Sequence, residues 1–143
     1  MPKTYTYHTN VSWKGEHRGH LVCGNGAEMD FSAPPDAHGH AGVMTPEDAF
    51  VAAANTCVMM MFLWACERFK ITLVSYECHA EGTKIIDLDR TELFTKIVLH
   101  PKIQVKECDE NRVRRALQSA QKFSLVANSV KSEIFIEPEI IIG

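Results

Sequence analysis

The longest apolar stretch of the chain covers residues 49–66, where Asn55 and Thr56 are the strongly polar side chains, and charged residues border it on both sides. A helix that is apolar all round in a soluble protein is a central helix with every face covered. A membrane-spanning helix needs about 20 mostly apolar residues without such interruptions. The pattern therefore predicts a buried central helix and no membrane span.

The start of this helix is marked by four consecutive residues. Thr45 suits the N-cap, and Pro46 suits the first helical position, where an amide proton has no partner to lose. Glu47 and Asp48 place negative charge in the first turn, where the helix dipole favours it. We predict a helix from Pro46 to about Phe69.

Antiparallel strands are predicted before the helix. Residues 4–13 alternate in a strand-like pattern, and residues 20–31 resemble a hairpin with Gly24–Gly26 as its turn. Between them lies a polar loop that carries Arg18. Residues 32–44 are rich in proline, glycine and histidine and have no periodicity, which predicts a loop that is either ordered or mobile.

Two further strands and a second helix are predicted after the central helix. Residues 71–82 and 91–105 have the composition of strands, and the charged residues 83–90 are expected to connect them. Residues 109–122 predict a helix capped by Asp109, with apolar side chains at helical spacing. These side chains are Val113, Ala116, Leu117 and Ala120.

The chain ends in a short helical segment, residues 124–131, and a strand, residues 132–142, in which Pro138 indicates a sheet edge or a bulge. The order βββ–α–ββ–αα–β segregates strands from helices, which is typical of the α+β class. Neither a repeat nor a linker divides residues 1–143, so we predict a single domain.

Composition removes several classes of function. The formal net charge is −3, and the basic residues are scattered, so nucleic acid is not an expected partner. The N-terminus lacks the apolar core of a secretion signal. Five cysteines without a CxxC spacing favour reduced thiols in a cytoplasmic protein over a disulfide framework or a zinc ribbon.

Histidine is the other residue type that raises a metal hypothesis. His17, His20, His38 and His40 fall in predicted loops, and none has the helical spacing of an HExxH site. We interpret them as solvated loop histidines and expect no metal, with a metal site as the minor alternative.

Cys57 lies near the middle of the predicted central helix. Glu47, ten residues earlier, lies about 15 Å away along the helix axis. The two side chains cannot touch within one helix, so any pairing must involve another element or another copy of the helix. Most buried cysteines are inert packing groups, so spacing alone leaves Cys57 open between a core thiol and a reactive one.

The segment TPEDAFVAAANTC, residues 45–57, resembles the pattern of the OsmC/Ohr family. In that pattern a Pro-Glu pair opens a long helix and a cysteine follows ten residues after the glutamate. The preceding loop and the order of elements are also similar, so the resemblance covers nearly the whole chain. It implies an OsmC-like fold and an intertwined homodimer, with sheets that wrap two central helices and active sites at the subunit interface.

Members of this family are thiol-dependent peroxidases that act on organic hydroperoxides. The resemblance matches Cys57 to the peroxidatic cysteine and Glu47 to the glutamate that pairs with an active-site arginine, for which Arg18 is the candidate. The arginine would favour the thiolate and stabilise negative charge on the departing oxygen. No cofactor is implied. Three neighbouring apolar side chains would shape the substrate pocket: Met60, Met61 and Phe62.

The family's second cysteine has no counterpart here. It lies in patterns such as CLVANSL, whereas this chain has SLVANSV with Ser124 at that position. A serine cannot condense with a sulfenic acid to form a disulfide. We therefore expect a one-cysteine peroxidase that depends on an external thiol reductant. The other route is substitution by one of Cys23, Cys78 and Cys108.

Two alternatives differ in function. The first is a catalytically weak or inactive relative that binds a small apolar ligand at the dimer interface, which the serine at position 124 favours. The second is a hotdog-like thioesterase, since that fold also wraps a sheet around a long helix. The helix at residues 109–122 and the placement of the final strand argue against the thioesterase.

Overall fold

The strands before the long helix form one antiparallel sheet. The computed structural model describes residues 2–143. Its first three strands pair in the order β1–β2–β3, and they are β1 (Thr9–Trp13), β2 (Arg18–Cys23) and β3 (Glu28–Ser32). The amide of Gly26 donates to the carbonyl of Cys23 at 2.9 Å, and Gly26 has a φ of 95°, which costs glycine little. The predicted hairpin turn is confirmed.

Arg18 belongs to a strand and not to the predicted loop. It is the first residue of β2 and lies directly across from Ser32. The turn before it is tight, because the Arg18 amide donates to the Gly15 carbonyl at 3.1 Å and the Lys14 amide donates to the Arg18 carbonyl at 3.0 Å. These two bonds close the β1–β2 connection, so that β2 begins two residues earlier than its polar sequence indicates.

The proline-rich segment between β3 and the long helix is ordered by its own hydrogen bonds. The Ser32 amide donates to the Met44 carbonyl, and the Gly39 amide donates to the Pro34 carbonyl, both at 2.9 Å. A Cβ at Gly39 would lie 1.4 Å from the carbonyl oxygen of Ala33, so no other residue fits there without moving the backbone. This tight return holds the chain in place as it enters the helix.

The long helix α1 spans Pro46–Arg68. Thr45 Oγ1 accepts the amide of Asp48 at 3.1 Å, and Asp48 Oδ2 in turn accepts the Thr45 hydroxyl at 2.8 Å. This is a reciprocal capping arrangement. The predicted cap and start are confirmed, and the helix ends one residue before Phe69.

The chain divides into two compact units, one ending at Phe50 and one comprising Val51–Gly143, and α1 runs across the boundary. The single domain therefore stays a prediction. The second unit contains the long antiparallel hairpin of β4 (Thr72–Ile86) and β5 (Glu92–Lys106).

Strand β4 extends past the predicted end at residue 82. Lys84, Ile85 and Ile86 pair with residues 92–94 of β5, and the Lys84 ammonium contacts the Glu92 carboxylate at 2.5 Å. The first half of the charged segment predicted as the connection, residues 83–86, is thus strand. Its charges are accommodated because both hairpin arms are exposed here.

The second unit is completed by two helices and two short strands. These are α2 (Glu110–Phe123), α3 (Leu125–Ser129), β6 (Glu133–Ile136) and β7 (Glu139–Ile142). Asp109 caps α2 by accepting the Asn111 amide at 3.1 Å, as predicted. The final strand, predicted as one element, is two strands that both pair in parallel with β5. Pro138 lies between them, where its missing amide proton breaks the ladder.

The core of the second unit comes from three elements. Its fully buried side chains include Val58 and Phe62 of α1, Ile97, Leu99, Ile103 and Val105 of β5, and Val113 and Ala116 of α2. The Phe62 ring lies 5.5 Å from that of Tyr76 on β4. At Gly82 an added Cβ would lie 2.5 Å from Val51, so glycine permits α1 to approach β4 closely.

The helix α1 is not covered on every side within one chain. Met60 is 47% exposed and Trp64 is 53% exposed, while the opposite face is buried. The predicted all-round burial therefore requires a further covering element. Among the described helices α1 alone is long and apolar enough to cross a membrane, a test that core helices of soluble proteins also pass.

Candidate functional site

Cys57 lies on α1 beside the junction of α2 and α3. Its thiol is half-buried, and its Sγ lies 3.2 Å from the Oγ of Ser124, which is 67 residues further along the chain. The structure therefore brings together the two residues matched to the two cysteines of the family pattern. One is a thiol and the other a hydroxyl.

Ser124 is fixed by the helices on both sides of it. Its side chain is fully buried, and its Oγ accepts the amide of Ala127 at 3.2 Å, which caps the N-terminus of α3. Its own amide donates to the Gln121 carbonyl, and its carbonyl accepts the Asn128 amide. A serine directly before a short helix is a common capping signal, so the sequence alone could have predicted that Ser124 caps α3.

Of the three cysteines named as substitutes, Cys23 belongs to the first unit, and Cys78 and Cys108 lie in the second unit away from Cys57. Asn55 donates to the Cys78 carbonyl at 3.2 Å. Because Asn55 and Cys57 are about 200° apart around the helix, Cys57 points away from that part of β4. Cys108 precedes α2, whereas Ser124 follows it, and a helix of 14 residues separates them by about 20 Å. Neither thiol is placed to reach Cys57 within the second unit.

Burial also distinguishes two of the other thiols chemically. Burial raises the pKa of the Cys66 thiol to about 11, and it raises the pKa of Cys78 as well. Both sulfurs are therefore protonated at neutral pH and make poor nucleophiles.

Arg18 and Glu47 belong to the first unit. Arg18 is exposed and lines an open cavity of about 290 Å³ together with Val11, Trp13 and Phe31. Glu47 is half-buried in the first turn of α1. Since Glu47 and Cys57 are ten residues apart on one continuous helix, they cannot meet within it. The pairing of Arg18, Glu47 and Cys57 stays a prediction.

The predicted pocket residues have different surroundings. Met60 is nearly half exposed and Met61 is half-buried. Phe62 is fully buried against Tyr76 and contributes to the core of the second unit. The assignment of Met60, Met61 and Phe62 to a substrate pocket stays a prediction. The sequence alone does not show that Phe62 faces β4, because the position of that strand is set by the fold.

The four histidines that raised the metal hypothesis pair with carboxylates or with each other. His17 and His38 stack at 5.5 Å between ring centroids, and His40 Nε2 lies 3.2 Å from a Glu16 carboxylate oxygen. His20 is on β2 and not in a loop. Its hydrogen bonds to Asp30 and Glu28 raise its pKa. Within residues 2–143, no three or more His, Cys, Asp or Glu side chains form a group that could hold a metal ion.

Comparison with known proteins identifies the family. A sequence model of the OsmC-like protein family matches residues 39–139, a range that includes Cys57 and Ser124 but not Arg18. No curated protein matches the chain.

Solved structures share the fold. An OsmC-like protein of unknown function from Vibrio cholerae is 22% identical with a TM-score of 0.88, covering 95% of this chain and 100% of its own. An organic hydroperoxide resistance protein from Legionella pneumophila is 16% identical with a TM-score of 0.72, covering 98% and 99%. OhrB of Bacillus subtilis is 17% identical with a TM-score of 0.64, covering 95% and 98%. The α+β fold is confirmed, and the chain belongs to the OsmC-like protein family.

Proposed function

We propose that this protein is a thiol-dependent peroxidase that reduces organic hydroperoxides through Cys57, in one-cysteine form. The observation that carries the proposal is the 3.2 Å contact between Cys57 Sγ and Ser124 Oγ. In the proposed one-cysteine form, this hydroxyl stands in for the second thiol of the family pattern. Structural neighbours named as organic hydroperoxide resistance proteins support the substrate class.

The proposed cycle has two stages. The Cys57 thiolate attacks the terminal oxygen of the hydroperoxide, so that an S–O bond forms and the O–O bond breaks. The sulfur is oxidised to a sulfenic acid, and the alkoxide takes a proton and leaves as an alcohol. One external thiol then displaces water from sulfur to give a mixed disulfide. A second external thiol reduces that disulfide and returns the Cys57 thiol.

Arg18 and Glu47 complete the proposed site. The Arg18 guanidinium would favour the thiolate of Cys57 and stabilise the departing oxygen, and Glu47 would orient that guanidinium by a bidentate pair. Met60 and Met61 would form the apolar wall for the organic group. Because one helix keeps its own Glu47 away from Cys57, we propose that a second copy of the chain brings the two residues into one site.

A homodimer is therefore part of the proposal. Trp64 and Met60 are half exposed on α1, and a second copy would cover them. Light scattering at micromolar concentration is expected to give twice the mass of one chain. A Trp64→Asp variant is expected to shift the protein toward monomer, because an unpaired carboxylate would be buried in the interface. A Lys131→Asp variant, altered in the exposed turn before β6, serves as the control. A monomeric unsubstituted protein would contradict the dimer.

Trapping of the sulfenic acid tests the peroxidase. The protein receives one equivalent of cumene hydroperoxide followed by a dimedone-type probe, and the label is mapped by mass spectrometry. We expect Cys57 to be labelled fastest, and Cys66 and Cys78 slowest because burial raises their pKa. Uniform, slow labelling of all five cysteines would overturn the proposal. It would favour the alternative, an inactive relative that holds a small apolar ligand at the dimer interface.

The proposed location is the cytoplasm. All five cysteines are free. Reduced thiols are typical of that compartment, which would also supply the external thiol.

A further inference from the structure

We infer that Ser124 is a positioning residue that donates its hydroxyl proton to the thiolate of Cys57. The inference rests on the proposed function only in taking Cys57 as the nucleophile. The Oγ–Sγ distance of 3.2 Å is short for a hydrogen bond to sulfur, and the Ser124 side chain is fully buried. Water therefore does not compete for this hydroxyl.

The capping bond of α3 sets the direction of the hydroxyl. A serine oxygen has one proton to donate and lone pairs with which to accept. The Ser124 Oγ already accepts the Ala127 amide at 3.2 Å, so its proton is free to point toward sulfur. The backbone bonds to Gln121 and Asn128 keep the oxygen in place. The Ser124 hydroxyl is therefore already oriented toward the Cys57 sulfur and does not have to rotate to donate its proton.

A donor that is already oriented toward the sulfur stabilises the thiolate of Cys57 more than the neutral thiol. A hydrogen bond to an ionised acceptor is about twice as strong as one between neutral groups. Partial burial of a sulfur opposes its charged form unless a donor compensates. Ser124 supplies that donor from inside the protein. In the family pattern, a second thiol at the same position would instead form a disulfide with Cys57. Ser124 thus stabilises the thiolate of Cys57. It cannot reduce the sulfenic acid of Cys57, which is left for an external thiol to reduce.

Alkylation of Cys57 by iodoacetamide across the pH range tests this inference. In Ser124→Ala we expect the rate at pH 7 to fall about tenfold and the midpoint of the pH profile to move to higher pH, since a hydrogen bond to a charged group is lost. Ser124→Thr keeps a hydroxyl and is expected to restore the profile. Ser129→Ala is the matched control, because the Ser129 hydroxyl lies on the same short helix and donates only to the Leu125 carbonyl.

The pH profile separates this role from capping alone. Loss of the cap lowers stability, which thermal unfolding detects, but does not move the midpoint for Cys57. An unchanged midpoint in Ser124→Ala would overturn the inference and leave Ser124 as a helix cap. A shifted midpoint in a protein that consumes no hydroperoxide would support the inference while the proposed peroxidase activity fails.

Discussion

Replacing Cys57 by serine is expected to abolish hydroperoxide consumption while leaving the fold intact. A serine hydroxyl is barely ionised at neutral pH and cannot be oxidised to a sulfenic acid, so the rate should fall by roughly three orders of magnitude or more. The side chain keeps its size and can still hydrogen-bond to Ser124. The free energy of unfolding should therefore change by about 1 kcal/mol or less.

The measurement is the loss of cumene hydroperoxide in the presence of excess dithiothreitol. Cys108→Ser is the matched control, because Cys108 is also half-buried but lies at the far end of α2 from Ser124. It should retain full activity. Thermal unfolding of both variants shows whether each is folded. Activity that survives in a folded Cys57→Ser protein would assign the chemistry to another residue.

Local signals were sufficient to predict most elements of the fold. The start of α1 was predictable because the capping side chains of Thr45 and Asp48 act within one turn. The extent of β4 was not, because residues 83–86 become strand only through pairing with β5. Pro138 indicated an interruption of the last strand. Its outcome, two strands on the same side of β5, depended on long-range pairing.

The candidate site was less accessible to sequence reasoning than the fold. Cys57 and Ser124 are 67 residues apart, and no periodicity relates them. Only the family pattern predicted that both residues belong to the same reactive site. Helix geometry, in contrast, was enough to exclude a contact between Glu47 and Cys57 within one helix. The burial of Phe62 was hidden because methionines and aromatics on an apolar helix show no preferred face.

The apolar character of α1 links the fold to the proposed assembly. The sequence is apolar around the whole helix, but one chain buries a single face and leaves Trp64 half exposed. The proposed homodimer would remove this remaining face from water. A second α1 has the same face, and it would also bring a Glu47 from outside the helix that carries Cys57.

Replacing Ser124 by cysteine is expected to create a two-cysteine enzyme. In Ser124→Cys, one equivalent of hydroperoxide should oxidise Cys57, after which the new thiol displaces water and an S–S bond forms. The present Oγ–Sγ distance is 3.2 Å. A disulfide needs about 2 Å, so a movement of roughly 1 Å suffices. Trapping of the sulfenic acid at Cys57 should fall at least about tenfold, because bond formation within the protein outpaces the probe.

Two readouts decide the outcome of this variant. Mass spectrometry should find a peptide that joins positions 57 and 124. The oxidised protein should also gain up to about 4 kcal/mol in stability, because the bond closes a long loop in the unfolded chain. Ser129→Cys is the matched control, since its new thiol lies at the other end of α3 and is exposed. If no disulfide forms in Ser124→Cys and the probe still traps Cys57, the backbone of the α2–α3 junction prevents closure. The serine would then not be what makes this a one-cysteine site.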